Sequence, residues 1–124
     1  MSARDCFRRA LEIDPDHVDS MVGLAMADTI AALTEAFEDG PERIAEAEKL
    51  VLRALALAPR GSMAHYCFGL VLLRTGRAER AIDELKQALS LDPNLVFAHA
   101  HIGFAKIAPG RAEEAEALLP RRCG

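Results

Sequence analysis

The side chains in this sequence best able to hold a metal or to attack a substrate are its four histidines and three cysteines. His99 and His101 lie two apart, as do His65 and Cys67. On a helix such positions point to nearly opposite sides, so neither pair can share one ion. His65 and His99 are 34 residues apart. If the chain repeats at that spacing they come close in space, which predicts a packed or half-buried histidine pair, not a metal site. Cys6, Cys67 and Cys123 form no CxxC pair and no zinc spacing. They read as plain reduced thiols of a cytosolic protein. The acidic stretch Glu113-Glu114-Ala115-Glu116 falls in a predicted first turn, where carboxylates complement the helix dipole. No Ser-His-Asp set, phosphate loop, HExxH or Gly-rich dinucleotide pattern occurs. The chain is expected to carry no catalytic residue, no cofactor and no metal, and not to be an enzyme.

If these residues do no chemistry, the elements that hold them become the subject. The chain has 124 residues, and 51% of them are hydrophobic while only 5% are aromatic. Ala and Leu supply the bulk, and both are strong helix formers. Few residues are β-branched, which disfavours an extended sheet. The fold class is therefore all-α. A net charge of −4 argues against a nucleic-acid partner, which would call for a basic face. The basic groups Arg4, Arg8, Arg9 and Arg121, Arg122 read as solvated helix ends. The first residues are charged throughout, unlike a signal peptide. No uncharged run is longer than 61–73, which is too short to span a bilayer. These features predict a soluble, cytoplasmic protein with no membrane partner.

The sequence matches itself at a shift of 34 residues. Pro59 falls on Pro93, His65 on His99, Phe68 on Ile102 and Gly69 on Gly103. Gly76 falls on Gly110, Ala54 on Ala88, Ala81 on Ala115 and Leu85 on Leu119. The matches fall on small residues, turn glycines and closing prolines, where geometry leaves least choice. Gly69 and Gly103 sit in mid-helix, where Gly costs up to about 1 kcal/mol relative to Ala, so a neighbouring helix should touch the backbone there. Gly76 and Gly110 suit the left-handed end of a helix. Pro59 and Pro93 stop one hairpin and set the next.

In period and pattern the chain resembles the tetratricopeptide repeat (TPR) family. The clearest unit is SMAHYCFGLVLLRTGRAERAIDELKQALSLDPNL, residues 62–95. His65, Phe68, Gly69, Leu72, Gly76, Ala81, Leu85, Ala88 and Pro93 occupy the family's characteristic places. His65 stands where Trp is usual, and Leu85 where an aromatic is frequent. The resemblance implies an α-solenoid of stacked antiparallel hairpins, with each hairpin contacting mainly its neighbours.

Seven helices are predicted, at 2–13, 18–37, 41–58, 62–75, 78–91, 95–107 and 111–119. The units read as a lone second helix (1–17), a repeat with an insertion (18–61), two further repeats (62–95 and 96–119) and a tail (120–124). The insertion follows from Pro15 and Pro59, which are 44 residues apart, ten more than the period. Shared between two antiparallel helices, it would make their hairpin project roughly 6–9 Å beyond its neighbours. The alternative is an irregular loop around residues 36–42.

In the family the first helix of each pair lines a concave groove that takes ligands. The resemblance therefore places Met63, Tyr66, Leu70, Leu73 and Arg74 in the groove, then Phe97, Ala100, Phe104 and Ile107. In the inserted unit it places Asp19, Val22, Met26 and Ile30 there. The set is mostly apolar and lacks the Lys/Asn cluster with which chaperone-binding relatives grip a terminal carboxylate. A protein or peptide ligand is implied, an amphipathic helix or a hydrophobic segment and not an acidic tail; the alternative is a groove filled by the chain itself or by a second copy. Leu11, Ile13, Leu118 and Leu119 are the residues through which two copies could complete each other's stacks, giving a homodimer. The phrases ALEIDPDHVDSMVGLA and ALSLDPNLVFAHAHIGFAKI also resemble the TPR regions that follow cyclase-type or regulator domains in soil bacteria, which would make the chain a regulatory or scaffolding segment of a larger protein.

Overall fold

The computed structural model describes residues 2–34 and 40–106, and every described element is a helix. In order these are α1 (Ala3–Ile13), α2 (Val18–Thr34), α3 (Gly40–Leu57), α4 (Ser62–Arg74), α5 (Ala78–Leu91) and α6 (Val96–Lys106). The predicted helix 111–119, with Gly110, Leu118, Leu119 and Cys123, lies outside the described residues, as does Ile107.

Local chemistry accounts for the helix ends. The Ser2 hydroxyl accepts a bond from the Asp5 amide, and the Asp5 carboxylate accepts one from the Ser2 amide, a reciprocal cap that opens α1. Pro41 occupies the first turn of α3, where a missing N–H costs nothing. At the end of α4, Gly76 takes φ +78°. Its amide donates to Leu73 O and the Arg77 amide donates to Leu72 O. These two bonds satisfy carbonyls that would otherwise be orphaned, in the manner a left-handed glycine permits.

α2 pairs with α3, and α4 with α5, as antiparallel hairpins. α1 packs on α2, α3 on α4 and α5 on α6, while α2 touches α4 and α4 touches α6. The first helices of successive hairpins thus share one face. α2 and α3 run 17 and 18 residues against 13 and 14 in α4 and α5. Four residues add about 6 Å to each helix.

The core lies between the hairpins. One cluster gathers Ala25, Ile44, Ala47, Val51, Cys67, Phe68, Val71 and Leu72; a second holds Tyr66, Leu70, Leu85, Ala88 and Ala98. Alanines at the crossings bring backbones close, and Gly69 takes this furthest. A Cβ there would lie 2.8 Å from Leu85 Cδ2, which meets the expectation that a neighbouring helix touches this glycine. Gly103 differs. Among the described residues nothing lies within 4 Å of the position its Cβ would take, and the helix predicted to cover it is not among them.

Candidate interaction groove

On the shared face, α2 presents Val18, Val22, Met26 and Ile30, spaced four apart, so their side chains form one ridge along the helix. Phe7 of α1 closes one side of this ridge, because Gly23 leaves room for its ring; a Cβ on Gly23 would meet the Phe7 ring edge at 2.5 Å. Gly61, Ser62, Met63 and Ala64 at the start of α4 close the other side. Together they line a depression of about 570 Å³ in which Asp19 is the one charged lining residue. A smaller depression of about 220 Å³ continues between α4 and α6, lined by Met63, Tyr66, Asn94, Leu95, Val96, Phe97 and Ala98. Met63 belongs to both, and 44% of it is exposed. Val96 and Phe97 stand out further, at 72% and 73%.

The residues expected in the groove divide. Val22, Met26, Ile30, Asp19, Met63, Tyr66 and Phe97 line the two depressions. Leu70 does not, and its placement is a correction. It is 2% exposed and packs with Tyr66, Leu85, Ala88 and Ala98. α5 and α6 close over the part of α4 that carries it. Leu73 is half-buried against both core clusters. Arg74 and Ala100 are exposed outside the depressions. The Phe104 side chain lies outside the described set. Phe7, Val18, Leu95 and Val96 were not anticipated. Phe7 comes from α1, the helix before this hairpin, and its only sequence signal is the small residue Gly23 that accommodates it.

The titratable groups near this face serve structure. The Tyr66 hydroxyl lies 3.1 Å from His101 Nδ1, and the two rings meet edge to face at 5.6 Å. Burial, with a smaller contribution from Cys67, pushes the Tyr66 phenol above its ordinary value. Burial also pushes the Cys67 thiol up to about 12, so it stays protonated and unreactive at neutral pH. The expected His65–His99 pair gives way to other partners: His65 Nδ1 lies 2.7 Å from Glu84 Oε1 and its Nε2 lies 2.8 Å from Pro59 O. His65 thereby ties α4 to α5 and to the turn before it, while His99 is exposed. Among the described residues no group of three or more His, Cys, Asp or Glu could hold a metal ion. No described helix is long and apolar enough to cross a membrane.

Of the surfaces expected in self-association, Leu11 is half-buried and Ile13 is 81% exposed at the end of α1. Opposite the apolar face, Arg4, Arg8, Asp28, Glu42, Arg43 and Glu46 line a mixed-charge cleft of about 390 Å³ together with Leu24 and Leu50. There Arg4 Nε pairs with the buried Asp28 carboxylate and pins α1 to α2.

Residues 29–123 match the family described as the middle TPR-like domain of cilia and flagella-associated protein 70. The chain belongs to this TPR-like family. Solved structures agree with the hairpin stack. A mutant of the Thermobaculum terrenum O-GlcNAc transferase superposes at TM-score 0.70 and 29% identity, over 83% of this chain and 18% of that one. A thermophilic TPR protein of Thermus thermophilus gives 0.74 at 24% identity, over 93% and 59%, a likeness of fold alone. A MamA mutant gives 0.62 at 27% identity, over 90% and 59%. The chain spans less than two thirds of each of these neighbours. None of the curated proteins matches it. The TPR-like fold is typically non-catalytic, and in general it serves as a scaffold for protein–protein interaction.

Proposed function

We propose that the chain is a protein-interaction module that takes an apolar helical or peptide segment on the face shared by α2, α4 and α6. The observation that carries this reading is the apolar depression beside the Val22–Met26–Ile30 ridge, walled by Phe7 and Met63. Soluble proteins seldom leave a contiguous apolar concavity of this kind without a use for it. Two methionines in its lining give it a surface that adapts to its ligand. The absence of a catalytic constellation in the sequence supports a holder, not an enzyme, and a pI near 5.5 supports a protein partner over nucleic acid. In this reading the module works in the cytoplasm, and the phrase resemblance noted above supports a bacterial regulatory or scaffolding segment of a larger protein. The test is the double variant Met26→Glu with Met63→Glu. Neither side chain is fully buried, so helicity should persist while binding of a leucine-faced amphipathic peptide is lost. Binding undiminished by the double variant would rule the groove out.

A second reading, homodimerisation through the end of α1, rests on Ile13, the most exposed large apolar residue described. Sedimentation at tens of micromolar tests it. A dimer that Ile13→Asp dissociates would support it, and a monomer would exclude it.

A further inference from the structure

We infer that the occupant of the groove is a basic-edged amphipathic helix. Its apolar stripe covers the Val22–Met26–Ile30 ridge, and a lysine or arginine bordering that stripe meets Asp19. The inference rests on the groove reading above and adds the partner's secondary structure and charge.

The shape argues for a helix. Val18, Val22, Met26 and Ile30 form a single row spaced four apart, which runs about 18 Å along α2. Such rows are the ridges that pack into the side-chain grooves of another helix, and a partner with residues at i, i+3, i+4 and i+7 matches the row at its own period. Phe7 on one side and Met63 on the other give the row two apolar walls. An extended strand would leave its backbone N–H and C=O groups against this apolar lining without partners.

Charge complementarity fixes the sign of the edge. Asp19 is the one ionised residue among those that line either depression. It stands one turn before Val22 and Gly23, at the end of the ridge. Its neighbours are engaged: Asp16 pairs with Arg53, the Asp14 carboxylate accepts from the Asp16 amide, and His17 bonds Ser20. No hydrogen bond or ion pair engages the Asp19 side chain among the described residues, and no lining residue supplies it with a cation. A partner that covers the ridge brings its own edge against this carboxylate. An acidic edge would place like charges together as the groove dries, whereas a basic edge would pair with it.

The test uses three synthetic peptides with the same leucine stripe, bordered by Lys, Gln or Glu, each titrated into the whole chain by fluorescence anisotropy at low salt. The expected order is Lys, then Gln, then Glu, with about two- to fivefold between successive peptides, as a single exposed ion pair supplies. The spread should shrink as salt is raised, and Asp19→Lys should invert the order. A Lys-edged peptide broken by a central proline should bind at least about tenfold more weakly. Equal binding of the three peptides, or an order that Asp19→Lys leaves unchanged, overturns the charge assignment while leaving the groove reading intact. Equal binding of the proline-broken peptide overturns the helix assignment. Failure of every peptide to bind overturns the groove reading itself. A chain that sediments as a dimer, and as a monomer once Met26→Glu is introduced, would make the occupant a second copy and overturn the inference.

Discussion

Met26 and Leu70 stand at the same place in two successive hairpins, eleven residues after Pro15 and Pro59 respectively. Their surroundings differ. Met26 is half-buried and faces the depression between α2 and α4, whereas Leu70 is shut between α4, α5 and α6. The same holds one turn earlier, where Val22 is half-buried and Tyr66 is buried. The repeat register decides which side of a helix a residue occupies. Whether a ligand can reach it depends on which side chains cover it, and over Leu70 those are Leu85 and Ala88 of α5 and Ala98 of α6. An open depression and a closed core are thus made from equivalent positions of one repeat.

The most severe test of this contrast is to place a charge at both positions. Leu70→Glu buries a carboxylate among apolar side chains and should cost about 4 kcal/mol or more, enough to abolish a cooperative thermal transition. Met26→Glu gives up packing against both core clusters but can turn its carboxylate toward the open depression, and should cost less, about 1–2 kcal/mol. Thermal unfolding followed by circular dichroism separates the two, and similar midpoints would mean that the two environments are alike.

Glycine substitutions should show a smaller contrast. Gly69→Ala pushes a methyl into the fully buried Leu85 side chain, and overpacking of this kind costs about 1–3 kcal/mol. Gly23→Ala meets the rim of the half-buried Phe7 ring, which can swing aside, so the loss should be less. Chemical denaturation of the two variants measures the difference, and a Gly23→Ala variant less stable than Gly69→Ala would reverse the assignment of core and surface.

The smallest effect concerns the thiols. Cys6 is exposed and Cys67 is buried. Brief iodoacetamide treatment at pH 8, read by peptide mass, should modify Cys6 and spare Cys67 until the chain is unfolded. The folded chain holds the Cys67 thiol protonated up to about 12, while the unfolded value is near 9.0. This group's contribution to stability is therefore complete below pH 9 and is withdrawn as pH rises toward 12. A native-state label on Cys67 at pH 8 would show that the hairpins open more readily than the packing implies.

Much of this architecture was legible from small residues. Gly69, Gly76, Pro59, Pro93 and the alanines sit where backbone conformation or helix contact allows few alternatives, so the hairpins and their boundaries follow closely from the repeat. α5 begins and ends where expected. The groove was legible in part. The resemblance put Val22, Met26, Met63 and Phe97 in one groove with Leu70; the first four line the two adjoining depressions, whereas Leu70 is covered, because a repeat pattern carries no information about what covers a helix. Phe7 was missed because it reaches the depression from α1, outside the hairpin that forms the ridge, a juxtaposition hinted at only by Gly23. His65 was expected to meet its repeat mate, but Glu84 and the Pro59 carbonyl are nearer acceptors within its own hairpin and turn.

The central claim, that the apolar face of α2 and α4 is where a partner lands, can be read from methionine methyl groups. Met26 and Met63 line the groove, while Met21, on the same helix as Met26, is fully buried away from it. With carbon-labelled methionine methyls, titration of the Lys-edged leucine peptide should shift the Met26 and Met63 resonances together and saturably, and leave Met21 in place. Saturable binding that moves neither Met26 nor Met63 would contradict the account.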